Sequence, residues 1–325
     1  MKKVLCLILS LTMLFALASC GGNGEDTSST SGTKTEKTTI KLAVLKGPTG
    51  MGAAYLMKQN EENKSANKYV FSIENTPDAI SGQLINGSLD MAAVPTNLAA
   101  TLKNKGGADI QIIAVNTLGV LYLLEKGDSI KSIADLKGKK IIASGKGSTA
   151  QAVIEKLFTD TSIEITYAAE HTEAVSLAAS GSYDICILPE PFVTTLVSKD
   201  IGFKVALDLT KEWKEAGLSE LTMGAIAART EFINENEDAV KSFLNEYKSS
   251  VDYVNGNIED AAALIDTYGI MAKDIAKSAI PNCNMVCITG NEMKTALIDF
   301  YKVLNGFNPA LIGGGLPLDD IYYLK

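Results

Sequence analysis

Short apolar runs alternate with amphipathic segments along most of this chain of 325 residues. The first unit has an apolar run at 40–45, a glycine-rich stretch at 47–52, a helical pattern at 53–60 and a second apolar run at 69–73. Strands buried on both faces and joined by crossover helices give this alternation. The pattern therefore predicts an α/β fold with mostly parallel sheets.

The same order of elements occurs twice. Residues 140–189 again run from a strand through a glycine and serine loop, a helix, a strand and a second helix to a third strand that ends in proline. At an offset of 94 residues, four identities align: Gly87, Ser88, Asp90 and Pro95 with Gly181, Ser182, Asp184 and Pro189. A repeat of this kind indicates two similar α/β lobes.

The rest of the chain is expected to return to the first lobe. An apolar strand at 223–228 and three long helical patterns follow the second copy, and none of them has a glycine loop of its own. The chain would then cross between lobes near 118–124 and 221–224. This predicts lobe one at 39–120 and 224–325, lobe two at 121–223, and a hinge of two crossovers between them.

The first twenty residues are typical of an export signal. Lys2 and Lys3 precede an apolar run at 4–17, which is too short for a mature membrane span. The run ends in Leu17-Ala18-Ser19-Cys20, which resembles a bacterial lipoprotein cleavage site. We expect a signal peptide at 1–19, lipid on Cys20, and a flexible tether of small polar residues at 20–38. The alternative is a plain secretory peptide with an incidental cysteine.

Composition limits the partners and sites that this chain can have. The hydrophobic fraction of 46% and charged fraction of 21% are those of a folded soluble protein. A formal net charge of −8, with Arg229 as the one arginine, argues against a nucleic-acid partner. His171 is the one histidine, which rules out a multi-histidine metal site. No catalytic residue, metal or cofactor is predicted.

The cysteines leave one question open. Cys186 lies in an apolar strand and is expected to be a small core residue. Cys283 and Cys287 are four positions apart. A disulfide needs their Cα atoms within about 7 Å, which a tight loop allows and a strand does not. We expect free thiols here, with the disulfide as the alternative.

Glycine loops and strand ends predict a cleft. In open α/β sheets, ligands bind beyond the carboxyl ends of the strands, where helix N-termini present free N–H groups. Two facing lobes would place four segments around one cleft, namely 47–52, 95–97, 145–149 and Glu190. Residues 47–52 have the glycine spacing of a phosphate loop, but Ala53 and Ala54 replace its Lys and Ser/Thr, so no nucleotide site is predicted.

Several side chains have an ordinary structural interpretation beside the functional one. Met51 is either core or a ligand contact, and Asn97 and Thr149 are either helix caps or ligand contacts. Trp213, between two charged residues, is interpreted as a cover on the surface of lobe two. His171 is interpreted as a surface or capping residue.

Two segments resemble ABC-transporter substrate-binding proteins, in the branch that handles aliphatic sulfonates, taurine, nitrate and thiamine pyrimidine precursors. They are DLKGKKII at 135–142 and GSYDICILPEPFV at 181–193. The resemblance covers most of residues 41–255. It implies a type II periplasmic-binding-protein fold, in which a monomer closes two lobes on a small ligand. It also implies delivery to a membrane permease with a cytoplasmic ATPase, and a protein anchored by lipid on the extracytoplasmic face of the cell membrane.

The resemblance also implies which positions contact the ligand: Lys46, Gly47, Thr49, Gly50, Met51, Thr96, Asn97, Asn116, Ser148, Thr149 and Glu190. The chain departs from anion-binding members because no arginine lies near these positions, and the ligand stays open. Glu190 is held between Pro189 and Pro191. Its carboxylate favours a ligand with a cation or N–H donor, or else caps the following helix.

Two other functions share these features. A ligand sensor without a transporter would have the same sequence, and neighbouring permease and ATPase genes would argue against it. The fold family also contains a thiamine-pyrimidine synthase that consumes its own histidine and a cofactor. No histidine and cysteine cluster surrounds His171 in the sequence, so an enzyme of that kind is not expected.

The lipoprotein signal gives a direct prediction. A palmitate analogue fed to cells should label the wild-type protein and leave Cys20→Ala unlabelled, because Cys20 is the predicted acceptor. Equal labelling of both proteins would contradict lipid attachment at this residue.

Overall fold

The computed structural model describes residues 36–159 and 162–325. The predicted signal peptide, Cys20 and most of the predicted tether lie outside the described residues. Residues 37–325 form one compact unit. Within the described ranges, no helix has both the length and the apolar character that a membrane span requires.

The strands of this unit are β1 (Thr39–Leu45), β2 (Lys68–Glu74), β3 (Met91–Pro95), β4 (Ile110–Thr117), β5 (Leu121–Lys126), β6 (Lys140–Ala143), β7 (Glu164–Tyr167), β8 (Ile185–Pro189), β9 (Phe203–Asp208), β10 (Gly224–Arg229) and β11 (Met285–Ile288).

The helices are α1 (Pro48–Glu61), α2 (Pro77–Ile85), α3 (Thr96–Asn104), α4 (Thr149–Leu157), α5 (His171–Ala179), α6 (Phe192–Val197), α7 (Leu209–Glu215), α8 (Thr230–Glu235), α9 (Glu237–Gly256), α10 (Ile258–Thr267), α11 (Lys273–Ala279) and α12 (Gly290–Phe307).

Two mixed sheets organise the unit, and the predicted α/β fold is confirmed. The six-stranded sheet has the order β2-β1-β3-β10-β4-β11, and the five-stranded sheet has the order β7-β6-β8-β5-β9. In the first, β10 is antiparallel to both β3 and β4. In the second, β5 is antiparallel to both β8 and β9. Each sheet therefore receives one strand that arrives from the other, and that strand lies antiparallel between two of its host's strands.

The repeat is visible in the backbone. The bounds of β3 and β8, and those of α2 and α5, differ by the same 94 residues. The carbonyl of Asp90 accepts a hydrogen bond from Arg229 N at 3.0 Å, and the carbonyl of Asp184 accepts one from Lys126 N at 2.8 Å. Each arriving strand thus meets its host at the equivalent aspartate. The lobe boundaries inferred from the sequence stay a prediction, although β5 begins at Leu121 and β10 at Gly224.

The two connections between the sheets run side by side. One is the short segment 118–120 between β4 and β5, and the other enters β10 through Met223. Met223 N donates to Thr117 O at 3.0 Å, and Thr96 N donates to Met223 O at 3.2 Å. Leu118 N donates to Asn284 O at 3.1 Å, which adds the loop before β11. The crossovers are therefore hydrogen-bonded to the six-stranded sheet.

The first helix begins earlier than the sequence predicted. We expected a loop over residues 47–52, whereas α1 starts at Pro48. A Cβ on Gly50 would lie 2.6 Å from Leu45 O, and one on Gly52 would lie 3.0 Å from the hydroxyl of Tyr247. These two glycines therefore allow a helix to pack closely on its neighbours, and the expected loop is wrong.

Trp213 is a core residue, so its predicted place on the surface is wrong. Its exposed fraction is 0%. Its Nε1 donates to Ser219 O at 2.8 Å, and its ring centroid lies 5.9 Å from that of Phe300 on α12. Adjacent helix positions face different directions, so charged neighbours at 212 and 214 do not imply an exposed tryptophan.

The three described cysteines are free. Cys186 is fully buried in β8, as the sequence predicted. The disulfide that the sequence left open between Cys283 and Cys287 is absent from the described residues.

The first crossover gives a prediction about stability. A Cβ on Gly119 would lie 2.1 Å from Oγ1 and 2.9 Å from Cβ of Thr210, and rotation of the threonine cannot remove the second clash. Gly119→Ala should therefore destabilise the protein by about 1–3 kcal/mol, the usual cost of overpacking, measured by chemical unfolding.

Two further variants control this experiment. Gly256→Ala, where a Cβ meets no atom within 4 Å, should be neutral or slightly stabilising. Adding Thr210→Ala should restore part of the loss. Equal stability of Gly119→Ala and wild type would contradict the close approach.

Candidate functional site

A cavity of about 760 Å³ opens where loops that follow the parallel strands of the two sheets meet. This volume suits a small organic molecule. Six of the predicted ligand-contact residues line it: Lys46, Thr49, Asn97, Ser148, Thr149 and Glu190. The structure therefore brings residues from both copies of the repeat around one space. Their contact with a ligand stays a prediction.

Five predicted contact residues do not line this cavity, for separate physical reasons. Gly50 and Met51 lie inside α1, where Gly50 packs on β1 and Met51 Sδ lies 4.0 Å from Cys283 Sγ in the core. Thr96 is fully buried, and its hydroxyl donates to Thr222 O at 2.7 Å. Asn116 is also fully buried, with its Oδ1 packed against Gly224. A Cβ on Gly47 would lie 3.9 Å from Pro191 Cδ, so Gly47 faces the other lobe beside the cavity.

A hydrogen-bonded cluster joins the two sides of the cleft at Asn97, and we call it the interlobe latch. Thr149 Oγ1 donates to Asn97 Oδ1 at 3.0 Å, and Asn97 Nδ2 donates to Gly147 O at 2.9 Å. The same Nδ2 donates to Leu311 O at 3.3 Å. Asn97 and Thr149 are 3% and 2% exposed. Neither is a helix cap, because α3 and α4 have Pro95 and Ser148 at their N-caps.

Glu190 both lines the cavity and contacts the following helix. Its side chain is buried, and its carboxylate accepts from Thr194 N at 3.2 Å and from Thr194 Oγ1 at 3.0 Å. Burial raises the pKa of this carboxyl, and the hydrogen bonds from Thr194 oppose part of that effect. The helix contact expected from the sequence is therefore present.

His171 belongs to the site, although the sequence was interpreted otherwise. It is partly buried and lines the cavity as the first residue of α5. Its Nδ1 lies 2.7 Å from Ser144 Oγ, and its ring centroid is 4.8 Å from that of Phe192. Burial lowers the pKa of His171 to about 4, so the imidazole is neutral at pH 7. The repeat could have found it, because it aligns with Pro77, which begins α2 and also lines the cavity.

Charge is distributed unevenly over the cavity wall. Of the seven ionisable lining residues, five are exposed, His171 is partly buried and Glu190 is buried. The exposed ones are Lys46, Asp78, Lys146, Glu170 and Lys199. Arg229 does not line the cavity, since its Nε donates to Leu89 O at 3.1 Å and its NH1 pairs with Glu231 at 2.6 Å. In the described part of the chain, no three His, Cys, Asp or Glu residues lie close enough together to hold a metal ion.

This architecture is the type II periplasmic-binding-protein fold, and solved structures of that fold are similar to the chain. An ABC transporter protein from Parabacteroides distasonis matches with a TM-score of 0.75 and 23% identity, over 89% of this chain and 100% of that one. The alkanesulfonate-binding protein SsuA from Xanthomonas axonopodis pv. citri, bound to MOPS, matches with a TM-score of 0.71 and 13% identity, over 89% and 99%. The periplasmic nitrate-binding protein NrtA from Synechocystis PCC 6803 matches with a TM-score of 0.57 and 14% identity, over 79% and 75%.

The chain belongs to the family described as menaquinone biosynthesis, whose model matches residues 52–304. No curated protein matches the sequence. The resemblance to transporter-associated binding proteins that the sequence motifs indicated is thus confirmed among the structural neighbours. The family description is a finding that those motifs did not predict.

The interlobe latch can be tested by removing one hydroxyl. Thr149→Val leaves the buried Asn97 Oδ1 without its donor, which costs about 1–3 kcal/mol. Because this contact joins the two sides of the cleft, we expect faster hydrogen exchange at residues 147–151 and at α3. Thr101→Val is the control, since Thr101 Oγ1 bonds to Asn97 O and Leu311 O but not to the five-stranded side. Equal exchange in both variants would contradict a latch.

His171 gives a pH prediction that is simple to read, because no other histidine titrates. Its imidazole NMR signals should titrate with a pKa of about 4, well below the usual 6.5. The native state then binds fewer protons than the unfolded state between these values, so this residue's contribution to stability is lost as pH falls from about 6.5 to about 4. His171→Gln should remove that contribution. A pKa above 6 would contradict the buried neutral ring.

Proposed function

We propose that this protein is an extracytoplasmic solute-binding lipoprotein that captures a small organic molecule in the cleft and delivers it to an ABC importer. The observation that carries the proposal is one cavity of about 760 Å³ walled by equivalent elements of two sheets. Both sheets contribute the loops after their parallel strands, which is where open α/β sheets bind ligands.

The way the sheets are joined supports closure on a ligand. The two connections lie side by side, so rotation about them would open and close the cleft without breaking either sheet. The interlobe latch and the approach of Gly47 to Pro191 are contacts of the closed arrangement. In this proposal the lobes are residues 39–120 with 224–325, and residues 121–223.

Anchoring and partners follow from the N-terminal sequence and the fold. The lipoprotein signal around Cys20 supports a lipid anchor on the outer face of the cell membrane. A monomer tethered by residues 20–38 would reach a permease in the same membrane, with its ATPase on the other side. The permease partner is supported by the transport proteins among the structural neighbours.

A second candidate is an enzyme, and the family description favours it. The cavity wall has two side chains with shifted pKa values that could exchange protons with a substrate, His171 and Glu190. We favour binding because the structural neighbours named for a ligand, SsuA and NrtA, are binding proteins. We therefore propose that a bound molecule leaves the protein chemically unchanged.

Capture of a ligand tests the proposal. The purified full chain is incubated with spent growth medium, washed and examined by native mass spectrometry. We expect one small molecule per protein, which is identified after denaturation and recovered unaltered on prolonged incubation. Conversion to a product of different mass would favour the enzyme, and the absence of any bound molecule would contradict solute binding.

Glu190 gives a sharper prediction with the captured molecule. Glu190→Gln keeps the shape and removes the charge, so affinity should fall by about 1.5–3 kcal/mol if the carboxylate accepts a hydrogen bond from the ligand. Thr194→Val is the control, because it removes one helix contact and keeps the carboxylate. Calorimetric affinity equal to wild type in Glu190→Gln, together with a lower Tm, would mean that Glu190 acts only on its helix.

A further inference from the structure

We propose that the cleft selects an uncharged ring compound and discriminates against anions. This inference rests on the proposed binding function and specifies its ligand class. It separates this chain from the structural neighbours that are named for sulfonate and nitrate.

Helix N-termini at the cleft are the first place to look for anion binding, and the chain itself uses several of their N–H groups. Helices α1 and α2 begin with prolines, which have no N–H at the first helical position. Thr96 N of α3 donates to Met223 O at 3.2 Å. At the start of α4, Ala150 N donates to Ser148 Oγ at 3.2 Å and Gly147 N donates to Gln151 Oε1 at 2.6 Å.

Acidic side chains lie in the first turn of two helices at the cleft. Asp78 lies in the first turn of α2, and Glu173 lies in the first turn of α5. Each carboxylate offsets the positive end of its helix. Hydrogen bonds within the chain at α3 and α4, and acidic side chains at α2 and α5, therefore reduce the attraction of these helix N-termini for an anion.

The ionisable groups around the cavity cancel. Three lysines and three acids line it, in a protein whose formal net charge is −8. The three lysines are exposed. The one buried acid is Glu190, whose negative charge would repel an anion in the cavity. A cation gains less there than beside a bare carboxylate, because Thr194 donates to both oxygens, although each oxygen keeps a lone pair for one further donor.

The wall beside Glu190 fits a ring. Phe192 and His171 lie against each other with centroids 4.8 Å apart and both line the cavity, with Val175 nearby on α5. Because Ser144 occupies Nδ1 of His171, its Nε2 is the ring nitrogen left for a ligand. A ring packed on this wall can exchange one hydrogen bond with neutral Nε2 and donate another to Glu190.

Matched probes test the charge preference. Nicotinamide, nicotinate and 3-(aminomethyl)pyridine share one ring and differ in charge, and benzenesulfonamide and benzenesulfonate form a second set. Each is added at millimolar concentration to the purified full chain, with Tm and calorimetric affinity as readouts. We expect the two uncharged amides to raise the Tm and bind, and the ionised members of each set to bind at least tenfold more weakly.

Two variants test whether the uncharged probes bind against the Phe192 wall of the cleft. Phe192→Leu removes the ring and should weaken the uncharged probes about two- to tenfold, the range of one aromatic contact. Val197→Ala, on the same helix, 40% exposed and outside the cavity lining, should bind as wild type. Equal weakening in both variants would overturn the assignment to this wall.

The remaining outcomes separate the ligand class from the function. Stronger binding of nicotinate, benzenesulfonate or 3-(aminomethyl)pyridine than of the uncharged partner overturns the class and leaves solute binding intact, as does capture of an ionised molecule from medium. No binding of any probe, together with no captured molecule, overturns both.

Discussion

Everything in this protein depends on the exchange of one strand between two sheets. Strand β5 follows β4 of the six-stranded sheet but pairs in the five-stranded one, and β10 follows β9 of the five-stranded sheet but pairs in the six-stranded one. Each lies antiparallel between two strands of the sheet in which it pairs. A strand paired on both sides cannot slip without losing two ladders of hydrogen bonds. The exchange therefore fixes which edges of the sheets face each other, keeps the two connections adjacent, and creates one cavity between loops that are far apart in sequence.

The sequence carried much of this architecture. Alternating apolar and helical segments and the 94-residue repeat predicted both lobes, because buried parallel strands and tight strand-to-helix turns leave strong local patterns. Strands β3 and β8 were recognised as copies of one element because Gly87, Asp90 and Pro95 recur 94 residues later. Strands β4, β9 and β11 were not predicted. In β11, four residues with a register shift leave too short a period to recognise.

The site was predicted less well, and the failures have a common cause. Gly50 and Met51 lie in a glycine-rich stretch that looks like a ligand loop, but those glycines serve the packing of α1 against Leu45 and Tyr247. Local sequence does not reveal whether space beside a glycine is filled by a ligand or by the protein. His171 was undervalued because its importance comes from Ser144 and Phe192, which are distant in sequence.

The most direct test is whether the two sides of the cleft approach each other when a small molecule binds. Small-angle X-ray scattering of the purified full chain, with and without a saturating amount of the molecule captured from medium, measures this. The account predicts a smaller radius of gyration in the bound state, because rotation about the adjacent crossovers closes the lobes. An identical scattering profile at saturation would contradict a hinged binding protein.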